Sequence, residues 1–277
     1  MRLGGPIFDN ITDPENWAEQ LKHYRYKAAY CPIDSNASDS TINDYYKIAE
    51  KEDIIIAEVG AWSNPISSIK EIRDSAVMLC KKKLELAEKI GAKCCVNIAG
   101  SRGEQWDGPH SDNLTEETFE MIVETVREII DAVKPLRAFY SLETMPWIFP
   151  DTADSYMKLI CAVDRKQFAV HLDPVNMINS PIAYYNNSSI IKECFTKLGP
   201  YIKSCHAKDI VLSGNLTVHL DEIRPGLGAL NYKVFLYELS KIDKDVPIML
   251  EHLPSEEEYT KAAAYIRNEA EKQGLQI

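Results

Sequence analysis

The sequence predicts an α/β fold in which eight parallel strands close into a single (β/α)8 TIM-type barrel, with residues 1–277 forming one domain. Two observations carry that expectation. Short apolar runs alternate from end to end with longer amphipathic stretches, the pattern of consecutive βαβ units, and eight such repeats can be counted. A chain of 277 residues with 45% hydrophobic content is also long and apolar enough for one barrel core with helices around it. No low-complexity linker breaks the alternation.

In order, the strands are expected at Arg2 to Gly5, Ala28 to Cys31, Ile54 to Val59, Cys94 to Ile98, Ala138 to Glu143, Phe168 to Asp173, Ile202 to His206 and Ile248 to Glu251. The helices between them carry start signals. Asp13 precedes Pro14, an N-cap acceptor followed by a first-turn residue with no amide to leave unpaired. Ser68 with Glu71 reads as a capping box opening a helix with Ile72, Ala76, Leu79, Leu86 and Ile90 inward, and Gly91 supplies its left-handed stop. Thr115 opens a helix with Phe119, Ile122, Val126 and Val133 inward, and Ser255 with Glu258 caps the last one. Two segments, Gly100 to Asn113 and Ile210 to Leu230, are too long for tight connections. Both follow strand C-terminal ends, where barrel active sites lie, so they read as binding loops.

The formal net charge of -11 argues against a surface that gathers phosphates along nucleic acid and favours a small-molecule substrate. Seven cysteines scattered in apolar contexts with no C-x-x-C pair read as reduced core thiols. The N-terminal Met-Arg-Leu-Gly-Gly lacks a basic-then-apolar leader, and no apolar run reaches membrane-spanning length. A cytoplasmic protein without membrane or nucleic-acid partners is the expectation, and a homo-oligomer is compatible with it.

Strands five to eight each end in a metal-ligand type: Glu143, Asp173, His206 and Glu251. Side chains alternate along a strand, so if all four point inward they converge at the barrel mouth. Three carboxylates and one imidazole form an oxygen-rich set suited to one divalent ion, Mn2+ foremost, with Mg2+, Co2+ or Zn2+ also compatible.

These strand ends, together with His171-Leu172-Asp173, His206-Ala207-Lys208-Asp209 and Pro225-Gly226-Leu227-Gly228, make the chain resemble the sugar phosphate isomerase/epimerase group of the xylose isomerase-like TIM barrels. That group includes ketose 3-epimerases, inosose dehydratases and isomerases, hydroxypyruvate isomerases and, more distantly, apurinic-site endonucleases. The resemblance implies a metal-dependent isomerase or epimerase of a sugar, inosose or related polyol ketone. Glu143 and Glu251 would exchange the substrate proton through a metal-stabilised enediolate, while Asp173 and His206 hold the ion. The same site would also serve a lyase of the inosose dehydratase or C-glycoside-cleaving type. Two further alternatives are an apurinic-site endonuclease, disfavoured by the charge and by only six histidines, and a non-catalytic sugar-binding barrel.

The chain departs from the epimerase pattern in carrying Asn176 where a histidine is usual, and no arginine follows His206 until Arg224. Asn176 and Arg224 are therefore expected as substrate contacts, Arg224 as the holder of a phosphate or carboxylate. Glu58, Trp106 and His110 are further substrate-binding candidates, with Trp62, Trp147 and His252 at the same face. His171, a pleat below Asp173, is expected to be a buried hydrogen-bonding partner, and Lys208 to pair locally with Asp209.

Overall fold

A computed structural model describes all 277 residues. Its ten strands are β1 (Arg2–Gly4), β2 (Ala28–Tyr30), β3 (Ile55–Gly60), β4 (Cys94–Asn97), β5 (Phe139–Glu143), β6 (Phe168–Leu172), β7 (Ile202–Ala207), β8 (Asp209–Leu212), β9 (Leu220–Ile223) and β10 (Pro247–Leu250). Eight of them close a parallel barrel in the order β1-β10-β7-β6-β5-β4-β3-β2, the expected (β/α)8 architecture. Strands β4, β6 and β10 are buried along their whole length, which is why they read as continuous apolar runs rather than alternating ones. No helix is long and apolar enough to cross a membrane.

Around the barrel run α1 (Pro14–Tyr24), α2 (Asp39–Lys51), α3 (Lys70–Ile90), α4 (Glu116–Val133), α5 (Ala153–Val163), α6 (Pro181–Tyr185), α7 (Asn187–Leu198), α8 (Tyr232–Leu239) and α9 (Glu256–Glu271). Asp13, Thr115 and Ser255 accept the amides of Asn16, Thr118 and Glu258, so the caps read from sequence open α1, α4 and α9. Gly91 ends α3 in the left-handed region at φ 77°. The box expected at Ser68 does not form. Ser67 Oγ instead accepts the Ile69 amide, and α3 starts at Lys70 behind an Ile69 N-cap that provides no side-chain acceptor. That late start puts Ser68 outside the helix and out of reach of its first amides. Ile72, expected inward, lies on the exposed face, while Val77, Cys80, Leu84 and Ala87 fill the buried one.

The segment after β7, expected as a long irregular loop, contains an antiparallel hairpin in which β8 pairs with β9, Asp209 opposite Ile223 and Leu212 opposite Leu220. Chain reversal within the segment lets backbone amides pair that an open loop would leave to water. The loop after β4 remains irregular up to a 3-10 turn at Ser111–Leu114. It is tied down from beneath, with Ser101 Oγ and Asn113 Nδ2 both donating to Gly108 O and Ser101 N donating to Asn64 Oδ1.

Candidate metal centre

Glu143 closes β5, His206 lies near the end of β7, and Asp173 and Glu251 each follow the last residue of their strands, β6 and β10. Parallel strands in register bring these ends to the same rim: Glu143 sits opposite His171 and His206 opposite Met249. One ligand atom from each of Glu143, Asp173, His206 and Glu251 falls within 4.8 Å of the others. His206 Nδ1 is 3.1 Å from Glu143 Oε1 and 2.7 Å from Glu251 Oε1.

The side chains present suit a cation. Asp173 Oδ2 and Glu251 Oε1 are buried without a well-aligned hydrogen-bond donor, although His206 Nδ1 lies 2.7 Å from the latter. The Lys208 ammonium is 2.9 Å from the first and 2.7 Å from the second, close enough for charge attraction but off the hydrogen-bonding directions. These buried carboxylate oxygens are held by charge attraction to Lys208 and His206 rather than by aligned hydrogen bonds, an oxygen-rich arrangement that fits a hard cation. Burial pushes the Asp173 carboxyl up to about 7, with Glu143 and Glu251 adding to the effect against Lys208. Burial acts against the charged forms of Glu143 and Glu251 as well, but His206 and Lys208 outweigh it and hold both below the usual carboxylate range. For His206, the surrounding Glu251, Glu143 and Glu58 overcome burial and raise its pKa well above the ordinary imidazole value. The site thus concentrates negative charge that two cations only partly offset.

A cavity of about 990 Å3 opens above this group between the two long loops and is lined by Glu143, Glu251, Asn176, Lys208, Trp62, Trp106 and Trp147 among others. Asp173 and His206 are fully buried behind it.

A family model described as the xylose isomerase-like TIM barrel matches residues 18–269. The chain belongs to that family. Among solved structures, it is similar to D-psicose 3-epimerase from Clostridium cellulolyticum H10, bound to D-tagatose, at 16% identity and a TM-score of 0.69, covering 98% of this chain and 99% of that one. The 3-keto-D-glucoside 4-epimerase of E. coli gives 15% identity and a TM-score of 0.68 over 97% and 99% of the two chains. A xylose isomerase-like barrel from Mycobacterium smegmatis, solved with magnesium, gives 17% and 0.66 over 94% and 89%. At these identities the likeness is one of fold. A search among curated proteins finds no match.

The other residues singled out from sequence divide sharply by position. Asn176 and Trp106 line the cavity, and Asn176 Nδ2 donates to Glu143 Oε1 at 3.2 Å. Glu58 does not reach the cavity. It lies buried beneath His206, accepting from Ser204 Oγ at 3.0 Å and facing His206 Nε2 at 3.3 Å. A carboxylate there can fix the histidine tautomer and leave Nδ1 for an ion. His110 is turned into its own loop, where Nδ1 accepts the Asp112 amide. Arg224 is also turned away, with Nε 2.8 Å from Glu258 Oε2 at the start of α9.

Two expectations from sequence fail at this site. Neither ring nitrogen of His171 finds a hydrogen-bond partner. The ring lies edge-on to His206 with centroids 4.1 Å apart, and burial, then the His206 charge, lower its pKa to about 4. Lys208 does not pair with Asp209. Its ammonium enters the ligand group, contacting Asp173, Glu251 and, at 3.1 Å, Glu222 of the hairpin. Asp209 instead accepts the amides of Ile210, Gly226, Gly228 and Leu230, and so folds the Pro225-Gly226-Leu227-Gly228 turn against the barrel. The signal for Lys208 is in the sequence: it lies two residues beyond His206, so the strand alternation continued through Ala207 sends it to the same face.

Proposed function

We propose that the protein is a divalent-metal-dependent isomerase or epimerase of a sugar, inosose or related polyol ketone, with Mn2+ the first ion to test. One observation carries the reading: of the four converging residues, Glu143 and Glu251 face the cavity while Asp173 and His206 lie behind it. That division separates groups able to reach a substrate carbon from groups able only to anchor an ion. When bound, a divalent ion supplies Lewis acidity toward a ketone and its neighbouring hydroxyl. Glu143 takes or returns the proton on one side of the reacting carbon, and Glu251 does so on the other. Asn176 steadies the Glu143 carboxylate through its 3.2 Å hydrogen bond and remains at the cavity wall beside the substrate. The hairpin and the loop bearing Trp106 flank the mouth and limit access of water. The sugar epimerases among the structural neighbours support this chemistry.

The test combines metal content with solvent exchange. Asp173→Ala and His206→Ala should lose the ion in elemental analysis. Glu143→Gln and Glu251→Gln should keep much of it, since glutamine retains one coordinating oxygen, yet lose at least about 100-fold in kcat, the low end of general-base contributions. Incubation with keto-sugars and inososes in deuterated water reports proton abstraction directly. Undiminished exchange in both glutamine variants with metal bound rules the mechanism out.

A further inference from the structure

The opposite end of the barrel carries a second concavity, away from the metal centre. Its volume is about 640 Å3, and it opens where β3, β4, β5 and β7 begin, bounded by the C-terminal parts of α2 and α3. Most of the wall is apolar, including Ile54, Ile56, Ile90, Phe139, Ile202 and Ile242. Such a volume falls well inside the roughly 300–1,000 Å3 range of small-molecule pockets.

A bulge in β7 brings charge into this wall. Val170 of β6 pairs with Ile202 and His171 with Ser204, so Lys203 is an extra residue without a partner across the ladder. Bulges re-aim a side chain that regular pleating would send elsewhere. The Lys203 ammonium stands 4.7 Å from the centre of the Phe139 ring at the start of β5. Lys93, whose carbonyl accepts the Phe139 amide at 3.3 Å, adds a second lysine to the same wall. Neither lysine is neutralised by an ion pair, whereas Arg137 beside them is spent on Glu88 and on the Glu88 and Lys89 carbonyls that end α3. Burial and the Lys93 charge lower the Lys203 pKa, and Asp243 offsets them only in part. A half-desolvated ammonium without a partner is costly, and an anion entering the cavity relieves that cost.

The same wall limits the charge of what enters. Glu50 and Asp243 also line it, each already accepting a hydrogen bond, from the Tyr46 hydroxyl and the Asp245 amide. Their charges oppose a dianion such as a phosphate monoester. Two free ammoniums beside two engaged carboxylates suit a single negative charge, and the isoleucines with the Phe139 ring suit a flat apolar body.

We infer that this end of the barrel is a second ligand site, which takes a small carboxylate with a flat apolar body, its charge between Lys203 and Lys93 and its body against Phe139 and the isoleucines. The metal ligands stand at the other ends of the same strands, so occupancy here needs no ion and no turnover.

Naphthoate is the probe, titrated into isoleucine-methyl-labelled, Mg2+-loaded protein and followed by NMR. The methyls of Ile54, Ile56, Ile90, Ile202 and Ile242 should shift, while those of Ile98, Ile178 and Ile210 at the metal-centre cavity stay in place. Naphthylmethanol, with the same body and no charge, should bind at least about tenfold more weakly, the size expected of a charged hydrogen-bonded contact, and naphthyl phosphate should also bind more weakly than the carboxylate. Lys203→Met should erase most of the advantage of acid over alcohol, keep the metal content, and unfold no earlier than wild type, because it deletes an unpaired half-buried charge. Lys93→Ala repeats the comparison from the other side of the proposed carboxylate and stands in if Lys203→Met does not fold. No shift up to millimolar naphthoate, shifts confined to the metal-centre cavity, equal affinity for acid and alcohol, tightest binding of the phosphate, or undiminished naphthoate binding in the lysine variants overturns the inference.

Discussion

Replacing Lys208 by methionine should weaken the metal-free protein and strengthen its hold on a metal. The ammonium is almost wholly buried, with carboxylate oxygens of Glu251, Asp173 and Glu222 at 2.7, 2.9 and 3.1 Å and of Glu143 at 3.7 Å. Removing one partner from a buried charge group leaves the others uncompensated, a loss of about 3–5 kcal/mol. A divalent ion changes the sign of the effect. Two unit charges about 4 Å apart at an effective dielectric near 20 interact by about 4 kcal/mol, so an ammonium beside the ion opposes its binding substantially. Even a third of that repulsion, about 1.4 kcal/mol, is tenfold in affinity. Titration of Mn2+ into metal-free Lys208→Met should therefore give binding at least about tenfold tighter than wild type. Thermal unfolding should show a large deficit without metal and a much smaller one with it. Weaker metal binding in the variant, or an equal loss of stability with and without Mn2+, would refute the view of Lys208 as a cation competing for the ligand group.

Metal uptake should depend on pH through Asp173 and His206. Both are raised in the metal-free protein, Asp173 to about 7, and an ion needs their deprotonated forms, so affinity should fall as pH drops through 7 and rise above it. Calorimetry in buffers of different ionisation enthalpy should count about one more proton released at pH 6 than at pH 8, and an unchanged count would contradict the assignment. Asp209→Ala leaves four backbone amides without their acceptor and should cost at least about 3 kcal/mol in urea unfolding, with new protease sensitivity in residues 210–230. Arg224→Ala removes its pair with Glu258 and a long hydrogen bond to Pro225 O, so stability should change by no more than about 1 kcal/mol and KM should stay unchanged. A pronounced rise in KM would return Arg224 to the substrate site.

The barrel and the convergence of Glu143, Asp173, His206 and Glu251 on one rim were legible in the sequence because both depend on short-range rules. Strand alternation is local, parallel strands in register share a rim, and a ligand type at or just past the end of a strand therefore has a predictable address. Helix caps at Asp13, Thr115 and Ser255 were legible for the same reason, each acting on amides three residues away. Barrel closure decided the cases in which a side chain chooses among partners distant in sequence. Glu58 could rise to a cavity or drop under His206, a residue 148 positions away, and the barrel closure chose the second. Arg224 had a substrate anion or Glu258, 34 residues on, as possible partners, and the docking of α9 settled its geometry. Asp209 was captured by a turn some 17 residues later, which freed Lys208 from local pairing and left it to the carboxylates of three strand ends and a hairpin. Ion pairs and hydrogen bonds of this kind are fixed by which groups the closed barrel desolvates together, and that information is not carried by any local stretch of the chain.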